Sequence, residues 1–125
     1  MHKSGQGMDG LARAASPSTP GPDAPAAIQY VIDNRTEVRR RLGNLAVPDS
    51  AGAHACRDAF MEAMTHALDA DYHYLDWAHG VGDKGAATPD NAQALAWKKK
   101  FVRSYNSLAA RYGNGMRHDW RPTDI

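Results

Sequence analysis

The chain has 125 residues, a formal net charge of +1 and one cysteine. That is length for one domain with a modest core, and the near-neutral balance gives no field that would draw the whole chain to nucleic acid or to a membrane surface. A lone Cys56 excludes an intramolecular disulfide, and no stretch approaches the roughly 18 consecutive apolar residues of a membrane span. The content of Ala, Arg, Asp and Gly is that of a GC-rich bacterial or phage genome. Lys3 is followed by no apolar run, so no secretory signal is expected and a cytoplasmic protein is the default.

Residues 1–23 are rich in Gly, Ser, Pro and Ala, too poor in large apolar side chains to offset their chain entropy, and are expected to form a disordered tail. The first helix is predicted over about 24–43. Asp23 precedes it, Pro25 suits its first turn, and Gly43, Asn44 and Pro48 end it. Ala24, Ile28, Val31, Val38 and Leu42 recur at helical spacing on one face, with Arg35 on the same side. Arg39–Arg41 form a basic run near its C-terminus, where cations complement the helix dipole.

The central helix is predicted over about 50–80, roughly 45 Å long at 1.5 Å per residue. Asp49 or Ser50 caps it, and Gly80 and Gly82 stop it. Its apolar face runs through Cys56, Phe60, Ala63, Met64, Ala67 and Tyr74, which makes Cys56 a core residue. Asp71 interrupts that face. A polar flank carries Glu62, His66, Asp69 and His73 in steps of four, three and four, so all four side chains share one side.

The third helix is predicted over about 89–112, opened by Thr88 as cap, Pro89 and Asp90, and closed by Gly113–Gly115. Phe101, Val102, Tyr105 and Leu108 face inward, and Lys98 intrudes among them. Residues 116–125 read as a polar tail whose Trp120 folds back onto the helices. With no period-two segment of useful length, the fold expected is all-α, an antiparallel up-down-up three-helix bundle spanning residues 24–115.

Counting outward from Gly85 places Asp71 and Lys98 at one level, so they are expected to meet as a buried ion pair. The same count leaves the last third of the central helix facing only the third. That end would expose Tyr74, Leu75, Trp77 and Trp97, to be covered by the N-terminal segment, a second copy or a ligand.

Three functions follow from these features. The first is a small binding or adaptor protein, meeting a protein partner or itself through Tyr74, Leu75, Trp77 and Trp97, with Lys99, Lys100 and Arg103 as the rim. The second is a nucleic-acid-associated regulator using Arg39–Arg41 and the basic stretch Lys98–Arg103. The third is a metal- or His-dependent enzyme using Glu62, His66, Asp69 and His73 with zinc or iron. Against the third, carboxylate-bridged bundle sites draw ligands from facing helices. The third helix has no His, Cys or Glu, and Asp90 in its first turn is its only acid. A dimer presenting two such flanks would complete the site. No nucleophile stands beside a base at useful spacing, and no other cofactor is expected.

Overall fold

The computed structural model describes residues 11–47, 50–112, 117 and 119–124. Four helices pack against one another: α1 (helical at residues 11–15), α2 (Ala24–Gly43), α3 (Ala51–Ala78) and α4 (Thr88–Tyr112). Two 3₁₀ turns, Lys84–Ala87 and Pro122–Asp124, complete the described structure, which contains no strand. No helix among the described residues is long and apolar enough to cross a membrane.

Local chemistry sets the boundaries. Asp23 is the N-cap residue of α2 but makes no side-chain cap bond, and Pro25 supplies the fixed φ of the first turn. Ser50 caps α3, its hydroxyl accepting from the Ala53 N–H at 3.1 Å. The chain leaves α3 through Gly80 and Gly82, both at positive φ (80° and 83°), where a side chain would be strained. Asp83 then accepts from the Gly85 N–H at 2.9 Å and starts the 3₁₀ turn that leads into Thr88. The Asp49 alternative for the α3 cap lies outside the described residues, as do the Gly113–Gly115 stop, residues 1–10 of the N-terminal segment, and residues 116, 118 and 125 of the C-terminal one.

Helix α3 is the shared partner of α2 and α4. One apolar cluster joins Cys56, Phe60 and Met64 of α3 to Phe101 and Val102 of α4, with Val38 and Leu42 of α2 against it. Phe60 and Phe101 meet edge-on, ring centroids 4.7 Å apart. Trp120 folds back onto this cluster, held by paired hydrogen bonds with Asn106: its N–H donates to Oδ1 and its carbonyl accepts from Nδ2. Cys56 is buried here, and burial pushes its thiol up, which makes it an inert core residue.

Of the tail expected to be disordered over residues 1–23, residues 1–10 lie outside the described residues, whereas residues 11–15 are helical and reach a second cluster. Leu11 is 5% exposed and packs with Ile28, Val31 and Ile32 of α2, while Ala14 joins Leu68, Tyr74, Leu75 and Ala78 at its edge. Lys84 fastens the segment by donating to the carbonyls of Ala15 and Pro17, each at 2.9 Å. Its ammonium also lies 5.3 Å from the centre of the Trp77 ring. A stretch with few apolar residues is ordered because the patch it covers is already built by α2 and α3.

The register between α3 and α4 also differs from expectation. Asn91 meets Tyr74, Phe101 meets Phe60, and Gly52 approaches Leu108. These pairs are symmetric about Gly80–Gly82, not about Gly85. The turn Lys84–Ala87 lies along α3, with Ala87 fully buried, so reversal is complete before it. The expected Asp71–Lys98 pair is altered accordingly. Both side chains are buried, but the direct contact to Asp71 comes from Arg35 of α2, whose Nη1 donates to both carboxylate oxygens at 2.6 Å.

Candidate metal centre

The flank of α3 carries Glu62, His66, Asp69 and His73 on one side, and the earlier reversal of the chain delivers the first turn of α4 against it. Asn91 Nδ2 donates to the Tyr74 hydroxyl at 2.8 Å and fixes that approach. Asp90 is thereby set among the histidines. Its Oδ1 lies 3.6 Å from His66 Nδ1 and its Oδ2 lies 3.5 Å from His73 Nε2. Asp69 joins from α3, so that one ligand atom from each of His66, Asp69 and Asp90 lies within 4.8 Å of the others. Glu62 stands farther out, its Oε2 being 3.9 Å from His66 Nε2.

The His66–Asp90 separation is too long for a hydrogen bond and near the spacing of two ligands on one ion. At 3.6 Å, His66 Nδ1 is beyond hydrogen-bond reach of Asp90, and the atom is buried with no hydrogen-bond partner among the described residues. Two ligand atoms at about 2.0 Å from one tetrahedral ion lie about 3.3 Å apart. The His66–Asp90 gap is therefore close to the spacing of two ligands on one metal. His66 and Asp90 are about three-quarters buried, whereas Asp69 is exposed, so the cluster has a closed side and an open one.

One imidazole and two carboxylates suit zinc, iron(II) or manganese(II). His73 approaches the far oxygen of Asp90 from outside the trio, at 3.5 Å and without a hydrogen bond. Three protein ligands would leave a position for water, the feature that separates an open metal site from a closed structural one. The flank read from the sequence is thus partly regrouped. His66 and Asp69 enter the trio, His73 and Glu62 lie at its edge, and Asp90 joins it from within the same chain.

The other residues singled out by the sequence fall into different places. Trp77 is buried, and Tyr74 and Leu75 are half-buried beside the N-terminal segment, so the α3 part of the expected docking end is largely covered. Trp97 is half-buried against the larger core cluster, with the Lys100 ammonium 4.8 Å from its ring centre. Lys99, Lys100 and Arg103 are exposed on α4. Of the basic run on α2, Arg40 and Arg41 both bond to Glu37, holding its carboxyl down at about 2, and Arg39 Nε donates to Thr65 Oγ1 at 3.0 Å. One carboxylate thus serves two of the three arginines, and all three stay exposed.

Sequence reasoning missed Asp90 and Arg35 as functional and structural partners. The signal for each was present: Asp90 is the only acid of α4, and Arg35 is the one cation on the apolar face of α2. Comparison with protein-family models, curated proteins and solved structures gave no match.

Proposed function

We propose that this chain is a metal-binding helical protein that holds one divalent transition-metal ion, zinc by preference, between His66, Asp69 and Asp90. The long helices act as an antiparallel up-down-up bundle, a reading supported by the pairs Arg35–Asp71 and Phe60–Phe101, and the ion ties the first turn of α4 to the middle of α3. The observation that carries the proposal is the buried His66 Nδ1, without a hydrogen-bond partner among the described residues, standing 3.6 Å from Asp90, a gap that suits an ion and is too long for a hydrogen bond. This reading stands ahead of the adaptor reading because Trp77, one of that surface's anchors, is buried, and ahead of the nucleic-acid reading because Arg40 and Arg41 share Glu37.

The test is equilibrium dialysis of the metal-free chain against zinc, with bound metal counted by elemental analysis and native mass spectrometry. One zinc per chain is expected. His66→Ala and Asp90→Ala should each weaken binding at least about a hundredfold, because each removes a ligand rather than a supporting group, and loss of a supporting group alone costs about 10- to 100-fold. His79→Ala, at the exposed C-cap of α3, should bind as the parent does. No retained zinc, or equal retention by His66→Ala and Asp90→Ala, would refute the proposal.

A further inference from the structure

The end of the molecule away from the metal centre carries a cavity of about 680 Å³. It lies where the last turns of α2, the first turns of α3 and the last turns of α4 converge. Val38, Leu42, Phe60, Phe101, Tyr105 and Leu108 form most of its wall, and its volume is that of a small-molecule site. Two charged side chains line it, Arg41 and Arg57, and no Asp or Glu does so among the described residues.

The two arginines are not equivalent. Arg41 is held by Glu37, its Nε donating at 2.8 Å. Arg57 Nε is buried and has no hydrogen-bond partner among the described residues. Its Nη2 donates to Asp58 Oδ1 at 3.4 Å. A guanidinium N–H buried without an acceptor is unfavourable, and an incoming carboxylate would supply that acceptor with charge assistance. The remaining wall offers the Tyr105 ring, the Cys56 thiol and hydrocarbon, which suit a tail and not a second polar group.

We infer that this cavity binds an amphiphile with a single carboxylate head, a fatty carboxylate whose head meets Arg57 and whose tail lies between Phe60, Phe101 and Leu108. The charge complementarity selects this occupant over a neutral or cationic one. The planar fork of Arg57 suits a carboxylate, and Arg41 adds positive potential at the same mouth. The site is independent of the metal centre and shares no residue with it.

The experiment titrates dodecanoate, below its micellar concentration, into the full metal-free chain by isothermal calorimetry, with dodecanol and dodecyltrimethylammonium as matched probes. Dodecanoate should bind once per chain and more tightly than either. Arg57→Gln should weaken dodecanoate about ten- to a hundredfold while leaving dodecanol unchanged. Leu108→Trp, which fills the cavity, should weaken both, and His66→Ala should affect neither. Circular dichroism checks that each variant keeps its helices. Equal affinity for dodecanoate and dodecanol in the parent chain would make the cavity an unselective apolar surface and overturn the inference. Binding of none of the probes would leave the cavity to a protein segment or a second copy and would overturn it equally.

Discussion

Asp71 is fully buried between two cations, Arg35 and Lys98, so the buried group carries net positive charge when all three are ionised. Burial pushes the Asp71 carboxyl up against the pull of Arg35, and burial pushes Lys98 down, with the Arg35 charge adding to that and Asp71 opposing it. Removing the anion is therefore the damaging change. Asp71→Asn should cost about 3–5 kcal/mol in urea unfolding, since it strands two buried like charges. Lys98→Met removes the excess cation and leaves the Arg35–Asp71 pair intact, so it should be neutral or stabilising. The pH dependence follows. Lys98 has a folded value below its ordinary 10.5, so in the window between the two the unfolded chain binds more protons. Stability from this residue is present above the ordinary value and is lost as pH falls through the depressed one. The parent chain should gain stability between neutral and alkaline pH relative to Lys98→Met, and a constant difference between the two unfolding curves across that range would contradict this account.

At the scale of the element, the clearest boundary signals were the capping ones. Ser50 bonds to the Ala53 N–H, so Ser50→Ala should lower stability by about 1 kcal/mol, measured in the same urea titration. Thr88, Pro89 and Asp90 marked the start of α4, and the period of apolar residues marked the inward faces of α2, α3 and α4, because these signals depend on neighbours a few residues apart. What periodicity could not show is an element whose order depends on a surface built elsewhere. Leu11 and Ala14 are too few to predict a helix, yet they settle on an apolar patch of α2 and α3 and Lys84 fastens the chain beyond them. Leu11→Asp should release that segment while leaving the three long helices in place. The expected readout is faster proteolysis between Pro17 and Pro22 and increased binding of an apolar dye, with helix content nearly unchanged. A large loss of helix content would show instead that α1 is needed for the bundle itself.

For the molecule as a whole, the decisive unknown was register. Helix class and spans follow from local pattern, but where α4 sits along α3 depends on which glycine reverses the chain. Gly80 and Gly82 do so at positive φ, and the turn Lys84–Ala87 lies along α3. That choice moves Asp90 to the middle of the acid and histidine flank, which is why the proposed metal site needs one chain only and why the sequence alone, with the reversal placed at Gly85, left it unfinished. In the proposed site a bound ion would cross-link α3 and α4, which otherwise meet mainly through their apolar faces. If zinc binds the folded arrangement and not the unfolded chain, as proposed, then at a hundred times its dissociation constant it should add about 2.7 kcal/mol to stability and raise the thermal midpoint. Asp90→Asn should abolish most of that increment, because the neutral amide is a poor ligand. Its metal-free stability should shift by only about 0.5 kcal/mol, since Asp90 is partly exposed and its histidine contacts are all beyond 3.4 Å. Thermal unfolding of both chains, in chelator and in zinc, separates the two contributions. If zinc raises the midpoint of Asp90→Asn as much as that of the parent, the ion sits elsewhere. If zinc leaves both unchanged, the histidines and acids on α3 are no more than a solvated flank.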